Sequence, residues 1–231
     1  MTSLRSVRVI VAIVAVLAGV SACGDGSGGL PDPEFLLRGA TAAAGSVSSA
    51  HVEMTTSDAI PGLAARALSA DVRARKGSEP GASVGTVDVG GMRFDFAEQD
   101  ERLFSKSSDG KYVPAQQLSG GGALPKPSTL LDPDRGLAAM LANLSNVRTE
   151  AREEFDGVQA FRVTGDVPRA DAAVWLPSIQ GDARLAIWFA TAGRHLPVGT
   201  RLTVAGSSGE PASIDFALSN LNKKVRVPSV A

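Results

Sequence analysis

Residues 84–96 read Val-Gly-Thr-Val-Asp-Val-Gly-Gly-Met-Arg-Phe-Asp-Phe. Val87 and Val89 fall on one side of an extended chain, Thr86 and Asp88 on the other, because successive side chains alternate across a strand. Gly90-Gly91 supplies the tight turn of a hairpin. Phe94 and Phe96 then alternate with Arg93 and Asp95. Two antiparallel strands with one apolar and one polar face follow.

The same pattern spreads outward in both directions. Upstream, Leu68, Ala70, Val72 and Ala74 alternate with Ser69, Asp71, Arg73 and Arg75, and Val52 and Met54 alternate with His51, Glu53 and Thr55. Downstream, turns at Asp100-Glu101 and Ser108-Asp109-Gly110 lead into Leu103–Lys106 and Lys111–Pro114. Strands resume at Val147–Glu154 and, past Asp156-Gly157, at Val158–Val167, where Phe161 and Val163 point one way. Asp182–Phe189 sets Ala183, Leu185, Ile187 and Phe189 against Arg184, Ala186 and Trp188. Gly199–Ala205, Ser213–Ser219 (Ile214, Phe216 and Leu218 on one face) and Val225–Val227 complete about ten short strands.

Helices are few. Asp32 or Pro33 opens one through about Ser49, with Leu36, Leu37, Ala40, Ala44 and Val47 at helical spacing. A second is expected over about Arg135–Leu144, with Asp132 as N-cap, Pro133 in the first turn and Leu137, Met140, Leu141 and Leu144 on one face. A third, short, is expected at Ala170–Leu176. No βαβ alternation appears, so the fold class is α+β: a single curved antiparallel sheet with helices on one side. The apolar face reads either as an ordinary core or as the wall of an aliphatic cavity that short helices leave unfilled.

The amino terminus carries a separate message. Arg5 and Arg8 precede an uncharged, almost wholly aliphatic run from Val9 to Val20, and Val20-Ser21-Ala22-Cys23 closes it. This is a secretory signal ending in a bacterial lipobox, with cleavage before the chain's single cysteine and a diacylglyceryl group on Cys23. Two acyl chains suffice for stable anchoring. The expected organisation is a cleaved signal over 1–22, a lipidated flexible tether over 23–32 and a folded domain over 33–231. Removing the first 22 of 231 residues leaves 209, and because that segment holds two arginines and no acid, net charge moves from −1 to −3. A weakly acidic chain argues against nucleic acid as partner. With Cys23 acylated no thiol remains for a disulfide.

Chemistry-bearing clusters are not evident. His51 and His195 stand apart from any cysteine and lack metal-ligand spacing. His51, on the polar side of its strand, reads as solvated. No nucleophile elbow occurs. Gly90-Gly91 and Gly120–Gly122 open no helix with Lys and Ser/Thr, so they are not phosphate loops. Asp132-Pro133-Asp134 is explained by capping, and Glu153-Glu154 by solvation. Neither an enzyme nor a cofactor is expected.

Leu130–Leu144, LLDPDRGLAAMLANL, resembles the L-x-P-x-x-G-L-A-x-x-L-A-N stretch of the LppX/LprG family of mycobacterial lipoproteins. Ser49-Ala50-His51, Ile60-Pro61-Gly62-Leu63 and Leu68-Ser69-x-Asp71 look like the LprG branch, and Leu218-Ser219-Asn220 with Lys224-Val225 is similar to the family's closing strand. The resemblance covers about Leu30 to Pro228. Leu221 stands where the family often has an aromatic, and Asp100-Glu101-Arg102-Leu103-Phe104 replaces its D-G-x-L-Y turn.

The resemblance implies a half-barrel with helices over its concave face, enclosing an apolar pocket for acylated glycolipids or triacylglycerols. Such a protein carries lipid from the plasma membrane, whose outer face it is tied to, toward the outer cell envelope. In the LprG branch it works with a major-facilitator transporter. The pocket-mouth strand falls on about Ser83–Val89, with Gly85 at the mouth. The expected lining is Val52, Met54, Gly85, Val87, Val89, Phe94, Phe96, Leu137, Met140, Leu141, Phe161, Val163, Leu185, Ile187, Phe189, Ile214, Phe216 and Leu218. The alternative is a non-carrier envelope lipoprotein that scaffolds or stabilises a transporter.

Overall fold

The computed structural model describes residues 29–115, 124, 126–177, 179, 181–193, 195 and 197–230. The signal, Cys23, most of the tether and Gly120–Gly122 lie outside the described residues.

Helix α1 (Pro33–Gly45) starts where Asp32 stands ahead of proline. The Asp32 carboxylate accepts the Glu34 and Phe35 backbone N–H groups at 2.7 and 3.3 Å, satisfying donors that a helix start leaves orphaned. Eleven strands follow the alternation read above. The first six are β1 (Ser49–Thr56), β2 (Ala65–Arg73), β3 (Ala82–Val89), β4 (Met92–Gln99), β5 (Arg102–Lys106) and β6 (Tyr112–Pro114). The remaining five are β7 (Ser145–Phe155), β8 (Val158–Val167), β9 (Ala183–Ala190), β10 (Pro197–Ala205) and β11 (Pro211–Ser219). Gly90 and Gly91, at φ 60° and 82°, make the β3–β4 turn, which demands positive φ at both central positions.

All strands form one open antiparallel sheet in the order β6-β5-β4-β3-β2-β1-β11-β10-β9-β8-β7. Two meanders therefore meet at a central seam, where β1 pairs with β11, His51 opposite Ser219 and Thr56 opposite Ile214. Each meander ends at an outer edge, β6 on one side and β7 on the other. The chain must travel from edge to edge between them. It does so across the apolar face through a 3-10 helix (Pro127–Leu131) and α2 (Leu137–Ala142), with α1 packed on α2. The distinctive Leu130–Leu144 stretch is thus the strap that spans the sheet.

Some boundaries differ from expectation. The helix expected over about Arg135–Leu144 is confined to Leu137–Ala142, and Gly136, not Asp132, is its N-cap residue. Asp132 does cap, but it caps the turn: its Oδ1 accepts the Asp134 and Arg135 N–H groups at 3.0 and 3.1 Å. Gly136 sits so close to the preceding turn that a Cβ there would lie 2.5 Å from the Leu130 and Asp132 carbonyl oxygens. α1 stops at Gly45, where Ser46 takes over as C-cap. The short helix expected at Ala170–Leu176 is α3 (Arg169–Ala172), continued by a turn. Val225–Val227 forms no strand.

One connected apolar cluster fills most of the space between sheet and helices. Leu36, Leu37 and Ala40 of α1 and Met140 and Leu141 of α2 reach it from above, and Val52, Leu185, Ile187, Phe189 and Ile214 from below.

Candidate functional site

The cluster is not closed everywhere. An open pocket of about 300 Å³ lies between α1, α2 and strands β10–β11. Ala40, Ala43, Ala44 and Val47 of α1 and Leu137, Met140 and Leu141 of α2 form its roof, Gly199, Thr200, Phe216 and Leu218 its floor, and Leu130 and Trp175 its inner wall. The space exists because that stretch of α1 carries methyl groups where a globular helix would carry Leu or Phe. Its lining is mainly aliphatic and aromatic, with Ser46, Thr200 and Asn222 at its polar points.

Two further spaces adjoin the same wall. A narrow gap of about 30 Å³ runs among Val52, Met54, Leu68, Leu130, Ile214 and Phe216, and Trp175 borders it. Beyond lies a second open pocket of about 390 Å³ with mixed walls: Arg75, Glu98, Glu101, Lys126, Asp132 and Arg135 bring charge to it, beside Leu63, Leu124, Val174, Trp175 and Pro177. The ring of Trp175 meets that of Phe216 edge-on at 5.5 Å between centroids.

The second pocket has a fixed frame. Glu98 is buried and accepts from Ser83 Oγ (3.0 Å), Ser128 N (3.0 Å) and Ser128 Oγ (2.6 Å), which staples the strap to β3 and β4. Arg75 Nε donates to Asp132 Oδ2 at 3.2 Å, its other end pairs with Asp134, and Arg135 stands 3.6 Å from Asp132. Burial opposes ionisation of Asp132, but the Asp134 backbone N–H, the Arg75 hydrogen bond and the charges of Arg135 and Arg75 outweigh it and hold the carboxyl below its usual range. The Arg75 guanidinium is correspondingly raised, first by its hydrogen bond to Asp132.

On the outer face, Glu150 is also held low, chiefly by the Thr164 hydroxyl and then, against the pull of burial, by Arg162 and Arg184. A carboxyl lowered in the folded state gives stability that is complete above its unfolded value, about 4, and is lost as pH falls through the folded value. The melting temperature is expected to hold between pH 7 and 5 and to drop below pH 4. Asp132→Asn keeps Oδ1 for the two N–H groups but removes the charge facing Arg75, at a cost of about 2 kcal/mol at pH 7. A melting curve that falls equally steeply with acid in wild type and in Asp132→Asn would contradict this assignment.

The expected lining residues divide into groups. Leu137, Met140, Leu141, Phe216 and Leu218 border the apolar cavity, and Val52, Met54, Ile214 and again Phe216 border the gap. Val87, Val89, Phe94, Phe96, Phe161, Val163, Leu185, Ile187 and Phe189 belong to the apolar cluster and border neither space. Gly85 borders none of the three spaces described above. It pairs with Ala70 and Phe96, and a Cβ added there would lie 2.6 Å from Ala70 Cα and 2.8 Å from Ala70 Cβ, so the glycine serves close strand approach. The largely apolar pocket lies beside β11, one of the two strands of the seam. Sequence reading missed Trp175, which borders all three spaces. Its signal was a solitary large aromatic ahead of Pro177, a residue with an apolar body and a polar tip.

His51 is less solvated than its position suggested. Its Nδ1 lies 2.8 Å from Asp71 Oδ1 and its Nε2 3.2 Å from Ser69 Oγ, on adjacent strands. The order Ser–His–Asp is that of a hydrolytic triad. The three side chains stand on the polar face of central strands whose backbone N–H groups serve the sheet ladder. None of the three residues borders the spaces described above. Among the described residues no group of three His, Cys, Asp or Glu could hold a metal ion, and no helix is long and apolar enough to cross a membrane.

A family model described as LppX_LprAFG lipoprotein matches residues 32–227. A protein named lipoarabinomannan carrier protein LprG, from Mycobacterium tuberculosis (strain ATCC 25618 / H37Rv), is 29% identical over 233 residues, 96% of this chain and 94% of that one. The crystal structure of LprF from Mycobacterium bovis superposes with a TM-score of 0.67 at 24% identity, covering 88% of this chain and all 100% of its own. That of the Mycobacterium tuberculosis lipoprotein LppX gives 0.62 at 21%, covering 86% and 100%. These two likenesses bear on the fold.

Proposed function

The chain belongs to the LppX_LprAFG lipoprotein family, and on that premise we propose that it is a membrane-anchored lipoprotein that binds acylated lipids in an apolar pocket. The observation that carries this reading is the open, largely apolar pocket of about 300 Å³ under α1 and α2, in a chain whose relatives include proteins named lipoarabinomannan carrier protein LprG. An acyl chain lodged there is hidden from water, worth about 25 cal/mol per Å² of apolar surface. Leu137, Met140, Leu141, Phe216 and Leu218 line the first part of its path, and Val52, Met54 and Ile214 the next. The remaining apolar residues of the sheet's inner side form the bed beneath.

In this reading residues 1–22 are removed, Cys23 carries the diacylglyceryl anchor, residues 23–32 are the tether, and 33–231 form the lipid-binding body on the outer face of the plasma membrane. The cargo is an acylated glycolipid or triacylglycerol, moved toward the outer cell envelope in concert with a major-facilitator transporter. No catalytic step is needed for this work. Native mass spectrometry of the protein purified from its own host is expected to show bound acyl lipid, and protein that is lipid-free in repeated preparations refutes the reading. Cys23→Ser is expected to move the protein from the membrane to the aqueous fraction, and its retention in the membrane would remove the anchor from the scheme.

A further inference from the structure

Trp175 presents a polar atom that no described residue satisfies. Its indole Nε1 is buried and has no acceptor among the described residues. A buried donor left unmade is costly, and Trp normally finds a partner for its N–H when buried. The residue stands where three spaces meet: the largely apolar pocket, the narrow gap and the second pocket. On one side the walls are Ala40, Ala44, Leu137 and Leu141; on the other they are Arg75, Glu98, Lys126 and Asp132. Trp175 therefore stands between a pocket whose lining carries no charged side chain and one whose mixed walls carry several.

An acylated lipid has a matching boundary. Its ester carbonyls lie where tail ends and headgroup begins, and a carbonyl oxygen accepts but does not donate. We infer that the Trp175 indole N–H donates to an ester carbonyl of the bound lipid, which sets the tail in the largely apolar pocket and turns the headgroup toward the charged one. This rests on the lipid-binding reading above. It adds a polarity to the site: the protein selects acyl esters over chains that lack the carbonyl, and it holds them in one direction. Phe216, edge-on to the same ring, positions the indole without touching the hydrogen bond.

The test uses two lipids of equal chain length, dipalmitoylglycerol and its dihexadecyl ether counterpart, offered together at equal concentration to the lipid-depleted whole protein. Native mass spectrometry reads the ratio of the two complexes. Wild type is expected to favour the ester by about tenfold, the scale of one buried hydrogen bond. Trp175→Phe is expected to bring the ratio close to one while still binding lipid. A wild-type ratio near one, or an equal ratio in wild type and Trp175→Phe, overturns the inference and leaves lipid binding standing. Failure of wild type to take up either lipid overturns both.

Discussion

Ala44→Trp is expected to leave the protein folded and largely empty of cargo. Ala44 lies in the last turns of α1 and borders the apolar cavity opposite Phe216 and Leu218. An indole there occupies the space proposed for the acyl chain. Denying that chain about 60 Å² of contact at about 25 cal/mol per Å² removes about 1.5 kcal/mol, a tenfold loss of affinity. The substituted helix position costs only about 0.5 kcal/mol in propensity, and the ring fills an existing void, so the melting temperature should stay within about 2 °C of wild type. Lipid occupancy and melting temperature measured on the same preparation separate the two effects. Undiminished occupancy in Ala44→Trp would place the cargo elsewhere. Cellular function that survives an emptied cavity would favour the scaffolding alternative over the carrier.

The second large effect falls on stability. Gly85→Ala is expected to cost about 3 kcal/mol, the upper part of the range for overpacking a close-packed site. The added Cβ meets Ala70 of the neighbouring strand at 2.6 Å from its Cα and 2.8 Å from its Cβ. These are backbone-fixed atoms, so relief requires β2 and β3 to separate. For a chain of this size the loss corresponds to a melting temperature lower by about 6–12 °C. Gly85→Trp is expected to yield no folded protein. A bulky residue at Gly85 would therefore abolish lipid binding through misfolding, and it is a poor probe of a pocket entrance. A Gly85→Ala protein that melts with wild type would show that the two strands yield more easily than their packing indicates.

The strands were legible because each carries its instruction locally. Alternation such as Phe94-Asp95-Phe96 names both the element and the face it buries, and paired turn residues such as Gly90-Gly91 name the connection. The seam was not legible. Val52 and Leu218 become neighbours although nothing near either residue in the chain says so, since the two meanders could have met by other edges. Within the strap the shared face of Leu137, Met140, Leu141 and Leu144 predicts a helix over about Arg135–Leu144, whereas the close approach at Gly136 delays its start to Leu137, after a 3-10 helix and a turn. The cavity's position depended on where small residues of α1 happen to oppose β10 and β11, a three-dimensional coincidence that one-dimensional patterning does not record. Trp175 escaped for the related reason that it lies between regular elements, where periodicity has nothing to report.

Joining residues 49–56 to residues 211–219 has a price in time. While the polypeptide emerges, its opening hairpins can assemble, yet β1 remains a bare border with unmet amide and carbonyl groups until the final strand arrives. Contacts between such remote parts of a sequence slow folding. A protein built this way spends its youth adhesive and its maturity sealed, and it gains from a guardian until the last strand is in place.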